Sequence, residues 1–342
     1  MKGRKTGTLA HNMAVFSAFV EAAGKTLITG MALTPAERQM ATLAEGRMRI
    51  WAHNVRLFFE GDVVLGLDDL VAEIQMNDPE LPLIPERTDQ YVFHILKGTV
   101  RLEASAIEAL LSRYLFAAAP LALGDPKVAL DDRGMRLEGE LPWGPLRVPI
   151  VLAGPVTLND EGRIQLSVAR VEAGGMGIGP LLSLLRTDLE RVLRVPPDAP
   201  MSARGNALAI DPEQIFPAPR ARGRPAAVDV SSGALLLSYD WPEPIAGPPL
   251  VEKDAPAFLF CIGHTLLVGK MFLRDAVFQV VPRSADAQVL DFSLQGYRKQ
   301  LAAGESTLKQ HGELVVRLPN LDEIAPSEAA RRPKMDRTES AL

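Results

Sequence analysis

The chain has 342 residues, with 37 Lys and Arg against 42 Asp and Glu and a net charge of −5, the reverse of the basic stripe that a nucleic-acid binder carries. Hydrophobic residues make up 47% and aromatic residues 6% of it, ample for a large core. The single cysteine, Cys261, excludes an internal disulfide framework and a multi-cysteine zinc site.

At the N-terminus Lys2, Arg4 and Lys5 precede a weak apolar run, Met13 to Val20, too short to span a bilayer. As an export signal it is unconvincing, because His11 and Asn12 interrupt the approach to it and Glu21 comes before the small-residue cluster Ala22-Ala23-Gly24. Residues 1–60 read as a helical N-terminal segment. Pro35-Ala36-Glu37-Arg38 resembles a first turn, and Met48, Trp51, Ala52, Val55 and Phe59 share one helical face, with Arg47, Arg49, His53 and Arg56 elsewhere. A basic amphipathic helix carrying Trp can lie on an anionic membrane, so residues 47–59 are a candidate peripheral membrane contact. The alternative is a helix docked on the body of the protein.

Val63 to Met76 has strand character, and Asp78-Pro79-Glu80-Leu81-Pro82 ends it. Tyr91 to Leu96 alternates into a further strand, Val100 to Glu103. Ser105 followed by Glu108 is a capping-box spacing that starts a helix, and Ile107, Leu110, Leu111, Tyr114 and Leu115 form its apolar face. Two similar turns follow, Asp131-Asp132-Arg133-Gly134 and Asn159-Asp160-Glu161-Gly162, each suited to closing a hairpin. Met135, Leu137, Gly139 and Leu141 alternate with charged residues, and Leu146, Val148, Ile150 and Leu152 make a second such face. Ile164, Leu166 and Val168 alternate as well, but Val171 and Ala173 fall in the opposite phase, which requires a bulge or a change of environment. A second amphipathic helix opens near Pro180, carries the stripe Leu181, Leu184, Leu185, Leu189, Val192 and Leu193, and ends at Pro196-Pro197.

Asp211-Pro212 caps a short helix to about Phe216. In the extended proline-arginine loop that follows, Arg220, Arg222 and Arg224 stand at every second position. They are candidates for holding a phosphate or lipid head group; a solvated connector is the alternative. Val228 to Tyr239 is a hairpin turning at Ser231-Ser232-Gly233, and residues 242–256 are a Pro- and Gly-rich loop. Two strands are expected between His264 and Val281, a short helix over Asp291–Leu301, a last strand over Leu314–Leu318, and a disordered tail over 321–342.

No motif carries chemistry. The run Gly174 to Gly179 fails the dinucleotide spacing, since Pro180 and Leu182 stand where glycine is needed. His11, His53, His94, His264 and His311 form no metal-spaced pair, and Cys261 with His264 lacks further ligands. There is neither a nucleophile elbow nor a phosphate loop. The expectation is a non-enzymatic protein with no cofactor, no metal and no nucleic-acid partner.

The strand–helix–hairpins–helix order from Val100 to Val195 resembles the bacterial tubular lipid-binding proteins of the cell envelope, relatives of the synaptotagmin-like/BPI-type fold. So do the stretch GNALAIDPEQIFPAPRARGRPAAVDVSSGALLLSY, residues 205–239 with Asp211, Pro212, Pro217, Pro219 and Gly223, and FSLQGYRKQLAAGES, residues 292–306. The resemblance implies an elongated sleeve over 61–320 that binds acyl chains without chemistry, located in the periplasm or cell envelope. The fold class expected is α+β, a highly curved antiparallel β-sheet, sleeve or open barrel, wrapped around two amphipathic helices. In that arrangement Leu110, Leu111, Tyr114 and Leu115 of the first helix and Leu181, Leu185, Leu189 and Val192 of the second line a lipid tunnel, with Met135, Leu137, Val148 and Ile150 as the opposing wall. The rival expectation is a scaffold or membrane-surface interaction protein with a filled core and no ligand.

Overall fold

A short helix and then strands open the described part of the chain. The structure is a computed structural model and describes residues 34–60, 62–116, 123–143, 145–174, 189, 195, 199–309 and 312–324. Only α1 (Pro35–Met40) is helical in the described part of the N-terminal segment; β1 (Arg47–His53) and β2 (Val55–Glu60) follow. The helix expected over 47–59, and with it the ground for a membrane contact there, is therefore corrected to two sheet strands. Met48, Trp51, Ala52, Val55 and Phe59 are all buried. The reason is local: Asn54 adopts φ 52 and shifts the inward phase from even to odd positions. Met48, Ala52, Val55 and Phe59 then face the same way at spacings of four, three and four, which imitate a helix.

β3 (Val63–Met76) and β4 (Tyr91–Glu103) form the long antiparallel centre of the main sheet. Both change phase at the same level. On β3 the inward residues are Leu65 and Leu67, then Leu70, Ala72 and Ile74; on β4 they are Tyr91, Phe93 and Ile95, then Val100. The register breaks between Asp68 and Val71, where Asp69 has φ 50 and Gly98 φ 116. Paired bulges let both strands bend without turning an apolar residue outward. A side chain at Gly98 would come within 2.5 Å of the Asp69 carbonyl oxygen. Gly98→Ala is expected to cost about 1–3 kcal/mol from backbone strain and collision, read as a fall in melting temperature by circular dichroism.

β4 runs directly into α2 (Ala104–Leu110), which continues as a π-helical turn, Leu111–Leu115. Ile107, Leu110, Leu111 and Leu115 are buried as one face. The capping box is not formed: Glu103 is the N-cap without a side-chain bond. Glu108 instead accepts from the Val128 backbone N–H at 2.8 Å and pairs with Lys127 at 3.5 Å, tying the helix to the next strand.

That strand is β5 (Gly124–Asp131), followed by β6 (Gly134–Trp143) and β7 (Leu146–Gly154). Then come β8 (Val156–Leu158), β9 (Ile164–Ser167) and β10 (Arg170–Ala173). Both expected turns close hairpins. Asp131 accepts from the Arg133 N–H at 2.8 Å and Asn159 from the Glu161 and Arg163 N–H groups at 3.0 and 2.9 Å. The phase change after Val168 is a change of sheet: β10 joins the order β10-β7-β6-β5, whereas β9 joins β11-β12-β9-β8 with β11 (Met201–Arg204) and β12 (Ala207–Ile210).

Asp211 caps α3 (Pro212–Ile215) as expected, accepting from the Glu213 N–H at 3.0 Å. The arginine loop contains a short strand, β13 (Arg220–Arg222), and the next hairpin is β14 (Ala227–Ser231) with β15 (Ala234–Tyr239). The C-terminal part supplies β16 (Phe258–Gly263), β17 (Leu266–Val268), β18 (Met271–Leu273) and β19 (Ala276–Pro282). β20 (Leu290–Ser293), α4 (Tyr297–Ala303), β21 (Glu305–Leu308) and β22 (Leu314–Leu318) complete it. The helix expected over Asp291–Leu301 thus begins only at Tyr297, because Leu290, Asp291 and Phe292 pair with β2. The expected tail starts with an ordered turn, Leu321–Glu323, closed by a capping box at Asn320.

The main sheet runs β14-β15-β4-β3-β1-β16-β19-β22-β21, with β13 on β4 and β2-β20 branching from β3; none of the sheets closes on itself among the described residues. The architecture is mostly antiparallel β with short helices, an α+β chain in the broad sense. On the sheet's outer face Trp51, Val71, Leu96, Phe260 and Ile262 are covered by Met40, Leu43, Ile245 and Leu250. Gln279, fully buried there, clamps the Pro- and Gly-rich strap by accepting from the Val251 and Glu252 N–H groups at 2.8 and 2.9 Å.

Candidate functional site

The inner face of the main sheet is built in cross-strand rows. Ile95 of β4, Ala72 of β3, Ile50 of β1, Cys261 of β16 and Phe278 of β19 stand in register, one strand after the next. Ala72, Cys261 and Phe278 of this row are buried, and Ile50 and Ile95 are partly exposed. Across from them stand Leu83 and Pro85 of the 77–90 loop, Leu266 and Val268 of β17, Tyr297 and Leu301 of α4, and Phe216 after α3. Between the two walls lies a cavity of about 110 Å³. One water needs only ~10–15 Å³, so this apolar slot has room for several. Ile50, Phe93 and Leu259 remain partly exposed although they stand on the inward face of paired strands.

Thirty residues line the slot, none of them charged and none an amide. Its polar atoms belong to three phenols and one thiol. Tyr91 donates to the Pro85 carbonyl at 2.7 Å and Tyr297 to Glu86 at 2.5 Å; Glu86 is also paired with Arg298. Burial and then the Glu86 hydrogen bond raise the pKa of Tyr297. Burial pushes the Cys261 thiol up to about 12, so it stays protonated and unreactive.

None of the nine sequence-derived tunnel residues that the structure describes lines this slot. Leu110, Leu111, Leu115, Met135, Leu137, Val148, Ile150 and Leu189 are buried in the hydrophobic core, with Tyr114 packed against it. Leu181, Leu185 and Val192 lie outside the described residues. The arginines are separated from the slot by strand alternation. Ala221 of β13 faces inward beside Phe93, whereas Arg222 pairs in register with the outward His94 and Arg220 with Val92. Arg224 lies beyond the strand against the turn at Gly162. All three are exposed.

On the outer face Arg49, Glu73, His94 and Arg222 form a row across four strands. Burial works to raise the Glu73 pKa, but hydrogen bonds from Arg49 (2.6 Å) and Arg47 (2.9 Å), with their charges, hold it below its ordinary 4.5. His94 is lowered from 6.5 by burial first and then by Arg222 and Arg47, against Glu73 and Glu213. In both cases the unfolded chain takes up the proton first, so the stability these groups contribute exists above the unfolded value and is lost as pH falls through the folded one. Acidification is expected to weaken the protein in two stages, below 6.5 and again below 4.5. Urea unfolding across that range checks it, with His94→Gln removing the upper stage and Glu73→Gln the lower.

Comparison of the chain with protein-family models, with curated proteins and with solved structures finds no match. The slot must be read from its own chemistry. Among the described residues no helix is long and apolar enough to cross a membrane, and no group of His, Cys, Asp and Glu is arranged to hold a metal ion.

Proposed function

We propose that this protein binds the acyl chain of a lipid or similar amphiphile in the slot, without chemistry, in a sheet that curls around the ligand as an open sleeve. The observation that carries the reading is the lining: thirty residues with no charge and no amide around space wide enough for water. Water there would forfeit hydrogen bonds that the walls cannot replace, and such cavities stay dry or take an apolar guest. Native interiors leave few voids above the size of one water. Burying ~0.8 kcal/mol per methylene, a chain of ~16 carbons would gain on the order of 10 kcal/mol gross. The resemblance of residues 205–239 and 292–306 to tubular lipid-binding proteins supports the same ligand class, and with it a place in the cell envelope.

The test is organic extraction of the purified protein followed by lipid mass spectrometry. Uptake of a fluorescent fatty acid by the delipidated protein is the second readout. An empty extract together with no uptake of the fluorescent fatty acid would leave the filled scaffold as the better reading.

A further inference from the structure

The β17–β18 hairpin has two unlike faces. It forms a two-stranded sheet apart from the main one, closed by a two-residue turn at Gly269-Lys270 with Gly269 at φ 61. Its inward residues are apolar: Leu266 and Val268 line the slot, and Met271 and Leu273 pack against the core. The Leu83–Leu266 bridge ties it to the 77–90 loop, and Leu301 of α4 lies 3.7 Å from where a side chain on Gly269 would begin. Alternation then sends Lys270, Phe272 and Arg274 outward, and all three are exposed. Phe272 is 60% exposed and stands in register with the partly exposed Leu267.

Lys270 and Arg274 form no ion pair with any described residue. Asp275 follows at φ 47, where the chain leaves the stripe for β19, and Glu86 is already held by Tyr297 and Arg298 of α4. Two strands of 3 residues each present far less than the ~800 Å² per partner of a stable protein complex. An anionic bilayer asks for less. It gains from a few apolar atoms at the acyl boundary and from each cation near its surface. On a chain of net charge −5, a local pair of cations also orients the approach. The inner residues of the same hairpin wall the slot, so a lipid surface met by its outer face lies next to the slot.

We propose that the β17–β18 hairpin docks on an anionic lipid surface, with Phe272 entering the interface and Lys270 and Arg274 on the head groups. This rests on the lipid-binding reading for its purpose, exchange of a chain between bilayer and slot, and not for the docking itself. The test is co-sedimentation of the full chain with vesicles of phosphatidylglycerol and phosphatidylcholine, against vesicles of phosphatidylcholine alone. Binding should be confined to the anionic vesicles and fade as salt is raised. Lys270→Gln together with Arg274→Gln should weaken it about twentyfold, roughly fivefold for each charge lost. Phe272→Ala should weaken it about tenfold. Leu146→Ala, at a side chain 56% exposed in another sheet, should leave it unchanged. Phe272→Trp should keep binding and add a blue-shifted emission on the vesicles that the 3 native tryptophans do not give. No binding to anionic vesicles, or binding undiminished in Phe272→Ala, would overturn the docking; lipid in the organic extract would then leave the slot reading intact. A loss in the charge variant alone would likewise overturn the insertion of Phe272. Vesicle binding that depends on Phe272, beside an empty extract, would keep the docking site and remove the slot reading.

Discussion

Ile50→Trp is expected to abolish uptake of an acyl probe while moving the melting temperature of the lipid-free protein by no more than about 2 °C, well under 1 kcal/mol. Ile50 stands at the centre of the inner face, in register with Ala72 on one side and Cys261 on the other. It is partly exposed although it is flanked by paired strands, so its side chain borders open space. An indole placed there lies over Ala72 and Cys261 and occupies the path of a chain. In a filled core the same enlargement forces rotamers and backbone apart at about 1–3 kcal/mol. The two readings therefore predict opposite pairs of results. Lost uptake with kept stability supports the slot, whereas lost stability in a protein that never bound lipid supports the scaffold.

Local order was legible wherever one physical cause dominated. The two Asx turns, the cap at Asp211, the strand over Val63–Met76 and the change of phase after Val168 each follow from a few neighbouring residues, and the structure has them all. The segment 47–59 was not legible, because Trp51 is buried on the outer face and Met48 on the inner, and the left-handed Asn54 resets the alternation. A two-sided strand with a phase shift has the same apolar spacing as a helix. Glu108 could equally cap its own helix or bind a neighbouring strand, and only the approach of Val128 decides it.

The slot was hidden for a different reason. Its lining comes from stretches as far apart as Met48 and Leu318, each alternating as any core strand does. What separates a wall from a core is what lies opposite, and that is set by the loop at 83–85, the β17 hairpin and α4 closing over the sheet. Two weak signals were present. Ala52 and Ala72 are small residues at inward positions of long strands, and Gly98 interrupts a strand that otherwise alternates. The Arg220–Arg222 pair was conspicuous for its charge, yet the informative residue is Ala221 between them, whose small inward side chain marks the face on which the slot lies.

Arg56→Ala should lower stability by about 3 kcal/mol without changing ligand affinity, the complement of the Ile50 result. Asp291 is buried with its side chain 2% exposed, and its carboxylate takes the Arg56 guanidinium at 2.7 and 3.0 Å. The Leu321 N–H adds a third bond at 3.2 Å. The same residue's backbone accepts from Gln300 of α4 at 2.8 Å and donates to Asn320 at 3.0 Å. One position thus joins β2, β20, α4 and the final turn, the elements that carry Phe292, Tyr297 and Leu301 to the slot. Removing the arginine strands a buried carboxylate, a loss of ~3–5 kcal/mol in typical buried pairs. The lower end applies because Arg56 is itself 51% exposed and the Leu321 bond survives. Asp291→Asn in the Arg56→Ala background should restore part of the loss, since the neutral amide needs no counter-charge. Urea unfolding of the two single variants and the double closes the cycle. A double variant no more stable than Arg56→Ala would mean that the loss lies in the contacts of the arginine stem and not in the uncompensated charge. Arg56 and Asp291 both point away from the slot, their neighbours Val55, Leu57 and Phe292 facing in, so a change in acyl affinity in these variants would show that the outer pair sets the position of the wall.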